Sequence, residues 1–119
     1  MSPEDRDAAW LLDILEAGSK VERYVRGRTF SDYRRNDLLR DAVERNAMII
    51  GEAARNLSQA FTKAHPEVPW SSIIALRNIL AHRYGAVDDA EMWKVATVHV
   101  PDLIQKLQPL VPPPPESGN

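Results

Sequence analysis

A chain of 119 residues fits one domain, since domains run from about 50 to 250 residues and a second core would have too little chain to build it. It has no cysteine, which excludes disulfides, thiolate metal sites and a cysteine nucleophile. The formal net charge of −2 and pI near 5.9 argue against the broad basic surface of a protein that coats nucleic acid. No apolar run approaches the roughly 18 residues of a membrane span, and the acidic start Met1-Ser2-Pro3-Glu4-Asp5 is unlike a signal peptide. A soluble, unprocessed protein of a reducing cytoplasm is expected.

From about Pro3 to Arg26, Ala8, Leu11, Leu12, Leu15, Val21, Tyr24 and Val25 recur at spacings of three and four among charged residues, the mark of an amphipathic helix. Gly27 is placed to end it. Ser31 or Asp32 can cap a second helix that the apolar pattern carries from Asp32 to about Leu57. Gly51 within that helix costs about 1 kcal/mol relative to alanine, so its use is close helix packing, and Glu52 beside it is expected to be solvated or paired.

A further turn is expected over Ala60 to His65, and the prolines of His65-Pro66-Glu67-Val68-Pro69 make that stretch a connection. Pro69 and Trp70 then open a helix running to about His82, with Gly85 as its stop. Its apolar content, Ile73, Ile74, Leu76, Ile79, Leu80 and Ala81, places it centrally in the bundle. Asp88 or Asp89 can cap the last helix, which runs to about Gln108 and should bend at Pro101. The elements predict one all-α domain over residues 1–111, an antiparallel bundle of four or five helices without a sheet. Residues 112–119, Pro112-Pro113-Pro114-Pro115-Glu116-Ser117-Gly118-Asn119, are expected to form an extended or disordered tail.

The chemistry concentrates in Arg77-Asn78-Ile79-Leu80-Ala81-His82-Arg83-Tyr84. Arg77 is a permanent cation suited to a phosphate, His82 exchanges protons near neutral pH, and Tyr84 offers a phenolic hydroxyl. Asn78 and His82 share a helix face, whereas Arg77 and His82 are rotated by about 140° with a rise of about 7.5 Å. An RNA-cleaving site needs a group to take the 2′-hydroxyl proton, a group to protonate the leaving oxygen, and a cation for the phosphorane; His82 and Arg77 suit such roles, with Asn78 as an added donor. Taken by themselves, these residues read first as a surface arginine paired with an acid, a histidine that closes a helix and, at Tyr84, an ordinary packing residue. His65 and His99 are isolated, so no metal and no cofactor are expected. Lys20, Arg23, Arg26, Arg28, Arg34, Arg35 and Arg40 stand against Glu22, Asp32 and Asp37, a basic stretch that bears on function only if it lies beside Arg77.

Arg77 to Tyr84 reproduces the Arg-x4-His-x-Tyr signature of the HepT-like branch of the HEPN-domain proteins. The chain resembles that family from about Glu4 to Leu110, through Ala42-Val43-Glu44-Arg45, Met48-Ile49-Ile50-Gly51-Glu52-Ala53-Ala54, Val68-Pro69-Trp70 and Ala75 to Tyr84. The resemblance implies an all-α HEPN bundle that forms a homodimer, with Arg77 and His82 catalytic and Asn78 and Tyr84 supporting them at the interface. It implies an endoribonuclease toxin, acting on RNA and neutralised by an MntA-like nucleotidyltransferase antitoxin that adenylylates Tyr84. The competing expectation is a non-catalytic partner or substrate-binding subunit of such a nucleotidyltransferase.

Overall fold

Side-chain caps open five of the helices in the computed structural model, which describes residues 2–82 and 87–112. Ser2 accepts from the Asp5 amide and opens α1, Pro3–Val25, in a reciprocal capping box. Arg26 ends it, and Gly27 adopts φ +73°, the left-handed conformation that glycine takes without steric cost. The next start is Thr29, not Ser31 or Asp32. Its hydroxyl accepts from the Asp32 amide while the Asp32 carboxylate accepts from the Thr29 amide. Asp32 therefore sits three residues inside the cap, and those bonds hold its carboxyl below its ordinary pKa.

The long helix expected from Asp32 to Leu57 is two helices, α2, Phe30–Arg35, and α3, Asp37–Asn56. Asn36 parts them. Its extended backbone stops α2, and its side-chain oxygen accepts from the Leu39 amide to start α3. The Arg40 guanidinium donates to the Arg34 and Tyr33 carbonyls and closes the corner. Ser58 caps the short α4, Gln59–Ala64, and its amide and hydroxyl both donate to Asp7 of α1, at 2.9 and 2.7 Å.

Helix α5, Trp70–His82, follows the proline-bearing connection, with the Trp70 indole donating to the His65 carbonyl at 2.9 Å. Asp88 caps α6, Asp89–Lys94. A π turn, Val95–His99, joins α6 to α7, Val100–Leu107, and a 3-10 turn, Gln108–Leu110, follows. The π turn ends two residues before Pro101, which has no N–H to donate to the carbonyl four residues back and whose ring clashes with it. The Val100 amide reaches instead to Val95, five residues back. Among the described residues there is no strand, and no helix is long and apolar enough to cross a membrane.

Leu11, Ile14, Ala17 and Val21 of α1 pack on Val43, Ala47, Ile50 and Ala54 of α3, and α7 closes the other side of α1 through Val100, Leu103 and Leu107. Tyr33 is fully buried with its ring 5.6 Å from Trp93, which ties α2 to α6. Helix α5 packs on α3 and is not central: Leu80 is its one buried residue among those described, and Ile79 is 38% exposed.

Glu44 of α3 faces Asp41 and Asp89; burial first, then those two carboxylates, push its own carboxyl above its ordinary value, with Arg40 opposing them. The native state therefore holds that proton more tightly than the unfolded chain. The penalty of ionising Glu44 is absent below the unfolded pKa and grows as pH rises towards the folded one. Glu44→Gln is expected to stabilise the fold at pH 7 by a few tenths of a kcal/mol, about the worth of a half-exposed like-charge contact. Paired thermal melts should show the gain vanish near about pH 4, where the native glutamate is protonated too.

Candidate active site

Helices α3 and α5 meet almost backbone to backbone at one point. A Cβ on Gly51 would overlap Arg77 Cβ, stand 2.9 Å from Arg77 Cγ and lie 3.1 Å from the Ile73 carbonyl oxygen. The absence of a side chain at residue 51 lets Arg77 lie flat on α3, and only 20% of its side chain is exposed. This is the close packing expected of Gly51.

The guanidinium is held at both ends. Arg77 Nη1 donates to Asn78 Oδ1 at 3.1 Å, and Nη2 lies 3.1 Å from Glu52 Oε2. The second contact is an ion pair without hydrogen-bond alignment, since the solvent-shielded Oε2 accepts no hydrogen bond among the described residues. The other carboxylate oxygen, Oε1, accepts from Arg55 Nη2 at 3.0 Å and from Asn56 Nδ2 at 3.4 Å. Desolvation acts to raise the Glu52 pKa; it is outweighed by the hydrogen bond and charge of Arg55, the Asn56 hydrogen bond and the Arg77 charge, so the carboxyl sits below its ordinary value. The group is ionised at neutral pH and carries one negative charge between two guanidiniums.

Asn78 and His82 are exposed on one face of α5, four residues apart, as their spacing predicts. His82 is the last residue of α5. Among the described residues no hydrogen bond or ion pair joins it to Arg77, so Arg77, Asn78 and Glu52 form one cluster and His82 stands at the helix end beyond it. Tyr84 and the expected stop at Gly85 lie outside the described residues, as do residues 113–119 of the expected tail.

Arg40, the last residue of the basic stretch, is not beside Arg77. Arg40 lies near the start of α3 and Gly51 eleven residues on, about 16 Å along the helix axis. Among the described residues no three histidine, aspartate or glutamate side chains gather in a way that could hold a metal ion.

Along the face of α5 that carries Leu76 and Ile79, α5 stands away from α6 and α7 and leaves an apolar groove of about 560 Å³, which none of Arg77, Asn78, His82 and Glu52 lines. Ala47 and Ile50 of α3 form its floor, and Leu76, Ile79, Met92 and Val95 line its walls.

A family model described as Ribonuclease HepT-like matches residues 14–110. Three relatives are similar over most of their length. A protein of Methanocaldococcus jannaschii named "Putative RNase" is 35% identical over 84% of this chain and 92% of its own. A "Probable ribonuclease HepT" of Thermococcus cleftensis is 36% identical over 85% of this chain and 92% of its own. A "Putative RNase" of Caldanaerobacter subterraneus is 33% identical over 86% and 91%. No solved structure matches the chain.

Proposed function

The chain belongs to the ribonuclease HepT-like family, and from that premise we propose that it is a metal-independent endoribonuclease acting in the cytoplasm, with Arg77 and His82 as its catalytic residues. The observation that carries this reading is the state of Arg77. An arginine is drawn against the bundle wall, fixed by Glu52 and Asn78, and set one residue from the face that presents Asn78 and His82. Those contacts take up at most two of its five N–H donors and leave the rest for a phosphate.

RNA supplies its own nucleophile. The 2′-hydroxyl loses its proton to a base as its oxygen attacks the adjacent phosphorus, and the bond from phosphorus to the 5′-oxygen breaks as that oxygen gains a proton. His82 serves one of these proton transfers. Arg77 stabilises the extra negative charge on the phosphorane oxygens, and Asn78 adds a hydrogen-bond donor. The products are a 2′,3′-cyclic phosphate and a 5′-hydroxyl, with no water consumed in the step.

The site works as a homodimer in this account. The exposed Ile79 and the apolar groove that it lines support a self-complementary contact between two copies of the chain. The biological role follows the family: a toxin paired with a nucleotidyltransferase antitoxin that adenylylates Tyr84. The added nucleotide places bulk and negative charge two residues from His82, which repels a substrate phosphate.

Expression in a bacterial host lacking the partner, with wild type and His82→Ala matched for soluble protein, tests this directly. The wild type is expected to arrest growth and cut cellular RNA. His82→Ala is expected to lose both, because a general acid or base contributes about 10²- to 10⁴-fold. Equal growth and intact RNA for both would move the non-catalytic nucleotidyltransferase partner to first place.

A further inference from the structure

We infer that Glu52 is the positioning residue for the Arg77 guanidinium, with Gly51 as the spacer that brings the two within reach. Its consequence for turnover rests on the ribonuclease reading above; its structural content does not.

One turn of α3 does two things to Arg77. Gly51 admits the arginine stem, leaving Cβ and Cγ against the α3 backbone with little torsional freedom. Glu52, the next residue, meets the guanidinium at the end of that stem, with Nη2 and Oε2 3.1 Å apart. The carboxylate is braced in turn by Arg55 at 3.0 Å and Asn56 at 3.4 Å, and the Asn56 amide also donates to the Glu52 carbonyl at 2.8 Å. On α5 itself the next residue, Asn78, accepts from the other nitrogen, Nη1. The guanidinium plane is thus fixed from two helices.

The arrangement leaves Arg77 able to work. Arginine has five N–H donors, and contacts to Glu52 and Asn78 occupy at most two, so the rest remain for phosphate oxygens. One carboxylate shared by Arg55 and Arg77 leaves a net positive charge on the trio, which favours an incoming phosphate. A fixed arginine also gives up no rotational freedom when substrate binds, and misplacement of a charge-stabilising group by about 1 Å can cost about 10²-fold in rate. The opposite role for Glu52 would be that of a competitor, a carboxylate occupying the place of the phosphate. The two roles predict opposite signs.

Two measurements on the purified full chain decide between them: 15N-edited spectra of the arginine guanidinium groups, and steady-state cleavage of bulk transfer RNA. In the wild type, the Arg77 Nη protons should be resolved by slow rotation. Glu52→Gln should collapse them and lower kcat by about 10²-fold, with KM changing less and the circular dichroism spectrum unaltered. Unchanged Arg77 signals with unchanged kcat would overturn the proposal, and a rise in kcat/KM would make Glu52 a competitor. Should Glu52→Gln fail to fold, Arg55→Gln removes only the outer brace from a half-exposed side chain and should weaken the Arg77 signals partially; no change would count against the proposal. A wild type that cuts no RNA would sink the ribonuclease reading, and the spectra alone would then show whether Glu52 holds Arg77.

Discussion

Gly51→Ala is expected to lower the melting temperature by about 8 °C, although alanine is the better helix former. Propensity favours the substitution by about 1 kcal/mol. Against this, the new methyl overlaps Arg77 Cβ and lies 2.9 Å from Arg77 Cγ and 3.1 Å from the Ile73 carbonyl oxygen. These atoms belong to the backbone of α5 or to the root of its side chain, and none can swing away as a flexible side-chain tip would. Helix α5 must therefore move off α3. Overpacking costs about 1 to 3 kcal/mol, and neighbours this close and this immovable place it at about 3, so a net loss near 2 kcal/mol is expected after the propensity gain. In a chain of this length each kcal/mol is worth about 4 °C. The same displacement draws Arg77 away from Glu52, so RNA cleavage should fall by more than the loss of folded protein explains. Thermal unfolding followed by circular dichroism checks the first part; an unchanged or raised melting temperature would mean that α3 and α5 are not in near-backbone contact at this point.

Arg77→Lys should abolish most of the activity while preserving charge. A lysine presents one compact ammonium whose donors all leave a single atom, so once it settles on the Glu52 carboxylate it cannot also span to Asn78 and the phosphate as the planar fork does. The planar arginine spans Glu52 and Asn78 at 3.1 Å each and still offers free N–H groups. Loss of a preorganised donor to a developing oxyanion typically costs about 10²- to 10³-fold, and kcat/KM on an RNA substrate should fall by that much. The melting temperature should change by far less than for Gly51→Ala, because lysine fits the same space. Near-normal cleavage by Arg77→Lys would show that charge alone matters there.

Much of this was legible from periodicity and turn chemistry. The end of α1 just before Gly27, the start of α5 after Pro69 and the Asp88 cap all follow from residues whose local preferences agree with the fold. The broken second helix was not legible by pattern, because Leu38, Leu39, Ala42 and Val43 continue an apolar spacing that Phe30 and Tyr33 have begun. The break is written in Asn36, whose side chain prefers capping to a helix interior. Apolar content also misplaced individual residues. Leu12 and Leu38 are exposed, at 53% and 78%, while Ile14 is buried. Helix α5 was expected at the centre because it is apolar nearly all round; much of that surface faces a groove that a single chain leaves open.

At the site, spacing sufficed for Asn78 and His82, which lie four apart on one helix. It could not reveal the partner of Arg77. Glu52 stands on a different helix, and only the packing of α5 against Gly51 brings the carboxylate to the guanidinium. The one sequence signal was a glycine inside a good helix, directly before an acid.

Incubation of the purified protein with transfer RNA in excess EDTA, followed by mapping of the fragment ends, tests the central claim most directly. The account predicts that the wild type cuts despite the chelator and leaves 2′,3′-cyclic phosphate and 5′-hydroxyl ends, while His82→Ala leaves the RNA intact. Intact RNA at equimolar wild-type protein, or equal cutting by His82→Ala, would contradict it.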